Sequence, residues 1–411
     1  MEYKGSARMN FVERKKILVL TSRFPYPVIG GDRLRIYKLC KALSKYNDLT
    51  LLSLCDNPTE VDMPVNDNVF KNIHRIYMAK YRSYINVACA FFSKKPLQVA
   101  YYESSEFKAK LAELVPEHDA IFCHLIRTAD YAEKYDVAKF IDMTDAISLN
   151  YKRVSQVASK LNFKALIYSI EQKRLELYEK QMVDKFDIVS FISQVDKDYL
   201  YSPQDKFDKI KVIGNGVDTN VLKFVHRSMP VSETINLVFI GNMLSLQNMD
   251  AILFFSKKIL PELKNKFNIR LVVIGRIADK DKNILNNIDS VTAVGQVDDI
   301  NKAASLGHIG ICPVRLGAGV QNKVLEYMSL GLPCITSSVG FEGIGAVDGK
   351  HILIANSVSE YTNVIKCLSM DNEFYSTIAL NARAFVESEF SWDAKLTPFS
   401  DAVNRELYSG S

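Results

Sequence analysis

The sequence lacks low-complexity tracts, a strong charge of either sign and any CxxC pair. Hydrophobic residues make up 48% and charged residues 24% of the chain, which excludes disordered and fibrous proteins. A formal net charge of +5 is too small to argue for nucleic acid, and no nucleic-acid partner is expected. The seven cysteines form an odd set that predicts reduced, buried thiols.

The start of the chain resembles neither a signal peptide nor a spanning helix. It is charged almost up to the first apolar run, Ile17–Leu20, and that run ends after only four residues. Both membrane signals need a longer apolar stretch. A cytoplasmic location is therefore expected.

Short apolar runs alternate with amphipathic stretches in both halves of the chain. One series runs from Ile17–Leu20 to Ile188–Ile192, and another starts afresh at Asn236–Ile240. This rhythm predicts βαβ units with parallel sheets, and 411 residues exceed what one core usually organises. The turn pair Asn215-Gly216 and the polar stretch after it mark a boundary. We therefore predict an α/β protein with two Rossmann-like domains, residues 1–218 and 219–391, facing a central cleft.

The most informative stretch is RLGAGVQNKVLEYMSLGLP, residues 315–333, directly after a predicted strand. Its glycines would let backbone amides approach a ligand, and a helix starting near Val320 would offer its first amides to a diphosphate. Lys323 and Glu326 would share one helical face, where an ammonium can meet phosphate and a carboxylate can accept from ribose hydroxyls. Taken alone, a packed βα turn with a surface ion pair would explain the same residues.

Residues Phe239–Ser338 resemble the C-terminal domain of glycosyltransferase family 4, the group 1 transferases. The resemblance is carried by FIGNMLSLQNMDAILFF, RLVVIG, VGQVDDI and GAGVQNKVLEYMSLGLPCITS. In the other half, TSRFPYPVIGGDRLR, FIDMTDA and NGVD are similar to bacterial exopolysaccharide sugar transferases. The resemblance implies a GT-B fold with an N-terminal acceptor domain and a C-terminal nucleotide-sugar domain. The segment FSWDAKLTPF resembles the family's last helices, which implies a helix at about 392–411 that crosses back to the N-terminal domain.

The resemblance also assigns the donor site. In the family, a Glu, seven residues and a second Glu mark it; Glu326 stands at the second, ribose-contacting position, and Ala318 replaces the first. The family's basic pair is absent from the loop GNMLSLQN, so Lys323, Arg315 or Arg276 would neutralise the diphosphate. The full set of expected donor contacts is Gly30, Gly31, Gly241, Asn242, Arg276, Arg315, Gly317, Ala318, Gly319, Val320, Gln321, Lys323 and Glu326.

Polar residues also follow two predicted strands of the first domain, at the edge where open α/β sheets bind ligands. His124 comes after Ala120–Cys123, and a family His near this position contacts the donor sugar. Asp142 or Asp145 could orient the acceptor hydroxyl or act as base. The expected catalytic residues are His124, Asp145 and Glu326. Two alternatives stay open: His124 satisfied by its neighbours, and Asp145 as a helix N-cap.

No metal or cofactor is expected beyond the nucleotide-sugar co-substrate, a UDP- or GDP-sugar. The two DKD triplets superficially resemble the metal-binding DxD of another transferase fold. The first, Asp196–Asp198, follows Ser193 as a helix-capping pattern, and the second, Asp279–Asp281, is expected in a Lys-rich loop. The family resemblance implies a retaining transfer without a metal.

Residues 71–96 contain no acidic residue and a mixture of basic and aromatic side chains. The basic residues are Lys71, Arg75, Lys80, Arg82, Lys94 and Lys95, and the aromatic ones are Tyr77, Tyr81, Tyr84, Phe91 and Phe92. This mixture suits an anionic membrane surface, although a solvated helix with its aromatics on the core would also explain it. Peripheral attachment to the inner face of the cytoplasmic membrane is expected.

The expected function is sugar transfer to a saccharide or polyprenyl-linked acceptor in bacterial surface polysaccharide synthesis. Two other functions stay open. A nucleotide-sugar 2-epimerase shares the fold but would need well-placed acid and base carboxylates. A degenerate, non-catalytic nucleotide-sugar-binding subunit is suggested by Ala318 and by the missing basic pair.

Overall fold

The chain divides into two compact units. The computed structural model describes residues 13–28, 31–157, 163–202, 207–230, 233–305, 307–315 and 320–409, with the backbone alone for 153–157 and 163–168. One unit comprises Met1–Asn215 and Lys395–Ser411, and the other comprises Gly216–Ala394. The sequence-based division places the boundary between residues 218 and 219.

A seven-stranded parallel sheet forms the centre of the first unit, in the order β3-β2-β1-β4-β5-β6-β7. Its strands are β1 (Lys16–Thr21), β2 (Asp48–Cys55), β3 (Asn72–Tyr77), β4 (Ala120–His124), β5 (Ala138–Thr144), β6 (Ile188–Phe191) and β7 (Ile210–Val212). Apolar runs form these strands because a parallel sheet covered by helices is buried on both faces. The order of the strands reverses between β1 and β4, and at such a switch point open α/β sheets bind ligands.

The helices of the first unit cover this sheet. They are α1 (Gly31–Leu43), α2 (Lys80–Ala90), α3 (Leu97–Tyr101), α4 (Ser105–Leu114), α5 (Ala129–Ala132), α6 (Ile147–Val157), α7 (Phe163–Lys180), α8 (Met182–Lys185) and α9 (Gln194–Leu200). Short 3₁₀ turns lie at Pro58–Glu60, Val115–Glu117 and Ile126–Thr128. Ser193 caps α9, since its side chain accepts from the amide of Asp196, as the sequence predicts for the first DKD triplet.

The second unit repeats this architecture with a six-stranded parallel sheet, in the order β10-β9-β8-β11-β12-β13. Its strands are β8 (Ile235–Ile240), β9 (Ile269–Ile274), β10 (Val291–Gly295), β11 (Ile309–Cys312), β12 (Cys334–Thr336) and β13 (Leu353–Ile354). Its helices are α10 (Leu246–Phe254), a π-helical segment (Phe255–Ile259), α11 (Leu260–Lys264), α12 (Asp279–Asn286), α13 (Ile300–Ala304), α14 (Asn322–Leu330), α15 (Ser338–Phe341), α16 (Val358–Met370) and α17 (Asn372–Glu389). Here the switch point lies between β8 and β11.

The last helix, α18 (Trp392–Tyr408), returns to the first unit. Its Phe399 packs on Phe122 of β4 with ring centroids 5.6 Å apart. Further along, Asn404 accepts a hydrogen bond of 2.9 Å from the side-chain amide of Asn47. The predicted helix that crosses back to the N-terminal domain is confirmed.

Two local predictions are wrong. Five of the cysteines are buried as expected, but Cys89 and Cys367 are exposed. The triplet Asp279–Asp281 lies in the first turn of α12 and not in a loop. Acidic side chains are favourable there because the helix dipole is positive at its N-terminus.

Candidate functional site

In the second unit, predicted donor residues collect at the carboxyl ends of three neighbouring strands. Gly241 and Asn242 follow β8, Arg276 follows β9, Arg315 follows β11, and Lys323 lies in the first turn of α14. The loops after β8 and β9 are joined, because the amide of Met243 donates to the carbonyl of Arg276 over 2.7 Å. The predicted residues therefore surround the switch point of this sheet.

One glycine makes this close approach of two loops possible. Gly275, directly before Arg276, has φ +132°, and a Cβ built there would lie 1.9 Å from the carbonyl oxygen of Gly241. Any other residue would push the loop after β9 away from the loop after β8.

Helix α14 is held in place by Tyr327, a residue that the sequence reasoning missed. The buried Tyr327 hydroxyl accepts from the amide of Ile240 in β8 over 2.8 Å and donates to the carbonyl of Ile311 in β11 over 3.0 Å. Gly310 leaves room for the ring, since a Cβ there would lie 2.4 Å from it. Tyr327 thus fixes the positions of Lys323 and Glu326 relative to both strands at the switch point.

Lys323 is a buried cation that forms no ion pair with any described residue. Its Nζ donates to Gln321 Oε1 over 3.1 Å and lies 5.7 Å from the centroid of the Phe239 ring. No carboxylate among the described residues lies within ion-pair distance of it. The surface ion pair with Glu326 that would explain this motif without a ligand is therefore absent from the described side chains.

Glu326 is a half-buried carboxyl in the second turn of α14. Burial raises its pKa to about 7, and the ammonium of Lys323 opposes part of that rise. A carboxyl group with a pKa near neutrality at the end of a parallel sheet is a typical feature of functional sites.

Of the two predicted arginines, Arg315 has a carboxylate partner and Arg276 is exposed. Arg315 Nη2 lies 2.7 Å from Asp250 Oδ1 of α10, and its guanidinium lies over the ring of Phe254. The charge of Arg315 is therefore already compensated within the protein. Val320 and Gln321 precede α14, whereas Gly317, Ala318 and Gly319 lie outside the described residues.

In the first unit, His124 ends β4 beside the switch point. It is buried, and its Nδ1 lies 3.3 Å from Asp142 Oδ2 of β5. Its Nε2 has no hydrogen-bond partner in the part of the chain that the structure describes. Gly31 begins α1 with open space around it, and Gly30 lies outside the described residues.

The assignment of Asp142 as a possible base is wrong. Its side chain is 0% exposed and accepts two hydrogen bonds from Arg35, of 2.9 and 2.7 Å. Ser190 and Thr144 also donate to it, each over 2.8 Å. The Arg35 guanidinium, despite burial, holds the pKa of this carboxyl far below its usual range. Asp142 is a buried structural charge that compensates the guanidinium of Arg35.

Asp145 is half-buried between β5 and α6. Helix α6 begins at Ile147, so Asp145 precedes the N-cap position. The amides of Ala146 and Ile147 donate to Asp196 over 3.0 Å and to Glu179 over 2.7 Å. Carboxylates from α9 and α7 therefore accept hydrogen bonds from the amides at the start of this helix. Asp145, at the carboxyl end of β5, stays a candidate site residue.

Comparisons with known proteins agree with this architecture. Residues 234–371 match the family model described as "Glycosyl transferases group 1". A Klebsiella pneumoniae protein described as "Uncharacterized 44.6 kDa protein in cps region" is 23% identical over 409 residues, covering 91% of this chain and 96% of that protein.

Solved structures similar to this chain include sucrose-phosphate synthase from Thermosynechococcus elongatus, with a TM-score of 0.63, 16% identity, and coverage of 97% of this chain and 100% of that one. Anabaena HepE in complex with UDP-glucose is similar with a TM-score of 0.56 and 16% identity, covering 95% of this chain and 100% of that one. These likenesses show the fold, and the predicted GT-B architecture with two Rossmann-like units is confirmed.

Proposed function

We propose that this chain, a glycosyltransferase with a group 1 domain in residues 234–371, transfers a sugar from a nucleotide-sugar donor to a saccharide or polyprenyl-linked acceptor. The observation that carries this proposal is the buried Lys323, which forms no ion pair with a described residue and lies near Glu326 at the switch point of the second sheet. The UDP-glucose in the HepE structure supports a UDP-sugar as donor. The relative from a cps region supports a role in bacterial surface polysaccharide synthesis.

In this proposal the donor diphosphate lies at the start of α14. The first amides of the helix and the ammonium of Lys323 would bind the phosphates, and the carboxylate of Glu326 would accept from the ribose hydroxyls. Gly241 and Asn242 would line the other side, where the loop after β8 carries no cation. Because Ala318 stands where the family has a Glu, the sugar ring would rely on other contacts.

The proposed chemistry is a retaining transfer without a metal. As the bond to the leaving diphosphate breaks, negative charge develops on the phosphate oxygen, and fixed donors at the start of α14 stabilise it. The acceptor oxygen bonds to the anomeric carbon on the face that the diphosphate leaves, and its proton passes to the leaving phosphate. His124 and Asp145 would orient the sugar and the acceptor in this scheme.

We expect donor binding to strengthen as the pH rises from about 6 to about 8. The pKa of Glu326 is near 7, and only its ionised form is a full acceptor for two ribose hydroxyls. The ionised fraction rises from about one tenth to about nine tenths over that range, so the KM for the donor should fall by up to about tenfold. Initial rates across the pH range would measure this. A Glu326→Gln variant should show a raised KM without the pH dependence, and an unchanged pH profile in this variant would contradict the role of Glu326.

The proposal includes attachment to an anionic membrane surface through α2 and the turn that follows it, residues 80–95. Tyr81, Tyr84 and Phe92 are 62, 65 and 93% exposed and do not pack on the core. Among the basic residues nearby, Arg82 and Lys95 pair with acidic side chains, whereas Lys80 and Lys94 are exposed without an ion pair to any described residue. Within the described ranges, no helix has both the length and the apolar character to cross a bilayer.

Removing exposed aromatics of α2 and of the turn that follows it should weaken binding to anionic vesicles. We expect the double variant Tyr84→Ser and Phe92→Ser to lose most of its co-sedimentation with phosphatidylglycerol vesicles, because aromatic side chains supply the interfacial contact. Tyr46→Ser removes a similarly exposed tyrosine elsewhere in the first unit and serves as the control. Equal vesicle binding by the double variant and the control would exclude residues 80–95 as the contact.

The donor can be identified by nucleotide release from UDP-, GDP-, ADP- and dTDP-sugars, with and without a bacterial membrane lipid extract. The proposal predicts release from one donor, stimulated by the extract and lost in Glu326→Ala. Release from none of them, in spite of measurable nucleotide binding, would contradict the proposed activity with these donors.

A further inference from the structure

A cluster of buried polar atoms without partners lies at the carboxyl ends of β1 and β4. Thr21, Ser22 and His124 are at most 4% exposed, yet Thr21 Oγ1, Ser22 Oγ and His124 Nε2 form no hydrogen bond with any described residue. Thr21 and His124 are register partners in the two strands. Since an unsatisfied buried polar group costs about 1–3 kcal/mol, several together indicate a place where a ligand supplies the missing partners.

The backbone beside this cluster is strained. Leu125, directly after His124, has φ 65°, and Thr144, at the end of the neighbouring β5, has φ 61°. Residues other than glycine adopt such backbone angles at a cost of about 1–3 kcal/mol. These strained conformations persist mainly where a functional site requires them. The conformation of Leu125 directs the chain from His124 into the 3₁₀ turn Ile126–Thr128.

Arg127 lies in that turn and is held by neutral partners. Its Nε donates to Gln98 Oε1 over 3.1 Å, its Nη1 donates to the Tyr102 hydroxyl over 3.3 Å, and its Cζ lies 5.0 Å from the Tyr102 ring centroid. Gln98 is held in turn, because its side-chain amide donates to the hydroxyl of Tyr151 over 2.9 Å. The guanidinium is therefore fixed in position before any ligand arrives.

The charge of Arg127 is not compensated within the described part of the first unit. No described carboxylate forms an ion pair with it, although it is half-buried. Arg23, which follows β1 and also interacts with Tyr102, differs in this respect: it lies 3.3 Å from Asp56 and 3.9 Å from Asp32. A fixed guanidinium without a carboxylate is suited to binding an oxyanion through two parallel hydrogen bonds.

We propose that Arg127 binds an oxyanion of the acceptor, with Thr21, Ser22 and His124 contacting the neutral atoms around it. This inference rests on the proposed transfer and narrows the acceptor to molecules that carry a phosphate or a carboxylate. The diphosphate of a polyprenyl carrier and the carboxylate of an acidic sugar share this chemistry. Arg127 binds the oxyanion of the acceptor and takes no part in proton transfer.

The test is calorimetric titration of the full chain with geranyl diphosphate, methyl glucuronide and neutral methyl glucoside. Arg127→Gln is compared with Arg405→Gln, an exposed arginine of α18, and with Lys323→Gln. Because a hydrogen-bonded charge pair contributes substantially to binding free energy, Arg127→Gln should lower the affinity for one of the two anionic probes by about 10- to 100-fold. Arg405→Gln should leave the affinity for both anionic probes unchanged. The probe whose affinity falls in Arg127→Gln identifies the source of the oxyanion.

UDP binding separates this inference from the proposed function. We expect Arg127→Gln to bind UDP as the wild type does, and Lys323→Gln to lose UDP affinity while it keeps the affinity for the anionic probe. If neither probe binds to the wild type, or if Arg127→Gln weakens the neutral glucoside as much as the anionic probes, the inference is overturned. If every variant bound UDP as the wild type does, the proposed donor site would be contradicted. The result for Arg127 would then stand on its own.

Discussion

Replacing Lys323 with glutamine is expected to lower kcat/KM for sugar transfer by about 100- to 1,000-fold, the effect of removing one fixed donor to a developing oxyanion. Lys323 is buried, and its described partners, Gln321 and the Phe239 ring, are both neutral. A bound diphosphate would therefore form the direct ion pair that no described carboxylate forms with this ammonium, although Glu326 interacts with it from a greater distance. The loop after β8 has no cation to substitute for it.

The matched control for this experiment is Lys366→Gln, a change of an exposed lysine of α16 in the same unit. It should leave initial rates and thermal stability unchanged. Lys323→Gln should keep the thermal stability of the wild type within a few degrees, since no ion pair with a described residue is lost. If Lys323→Gln kept kcat/KM within about threefold of the wild type, Lys323 would not bind the leaving diphosphate.

Replacing Asp142 with asparagine is expected to destabilise the first unit by about 3–5 kcal/mol, the usual cost of removing one partner of a buried ion pair. Arg35 is 1% exposed, and its guanidinium would keep its charge without a carboxylate to compensate it. Its remaining hydrogen bonds, to the carbonyl of Ile213 and to Asn215, are to neutral groups. Urea unfolding followed by fluorescence and circular dichroism would measure the loss.

The control for the ion pair is Asp48→Asn, which removes the partner of Arg14 in a pair that is 32 and 44% exposed. Surface pairs contribute about 0–1 kcal/mol, so this change should be nearly neutral. The double variant Arg35→Met and Asp142→Leu should recover much of the lost stability, because it removes both buried charges. A loss below about 1 kcal/mol in Asp142→Asn would show that the pair is not essential to the fold.

The strands could be predicted from the sequence because their apolar runs are local signals. Ile17–Leu20 and Ile269–Ile274 each lie within an observed strand, since a parallel strand is buried on both faces. The start of α14 was expected near Val320 and lies at Asn322. Ends of elements are harder to predict, because capping and side-chain packing decide them.

The role of Asp142 could not be predicted, because its partner Arg35 is 107 residues away in the chain. From the sequence, an aspartate after a strand looks the same whether it faces a ligand or a buried guanidinium. Only the strand order, which places β5 two strands from β1, brings it close to α1. The same limit explains why Tyr327 and Arg127 were missed, since each acts through contacts between distant segments.

Sugar transfer can be tested by following a radiolabelled sugar from the active nucleotide donor into a lipid-extractable product. The wild type is expected to move the label into a glycoside whose anomeric configuration, read by NMR, matches that of the donor. Lys323→Gln should form this product at least about 100-fold more slowly. Label that appears only as free sugar would contradict sugar transfer to an acceptor, and a product that forms equally fast with Lys323→Gln would contradict the role of Lys323.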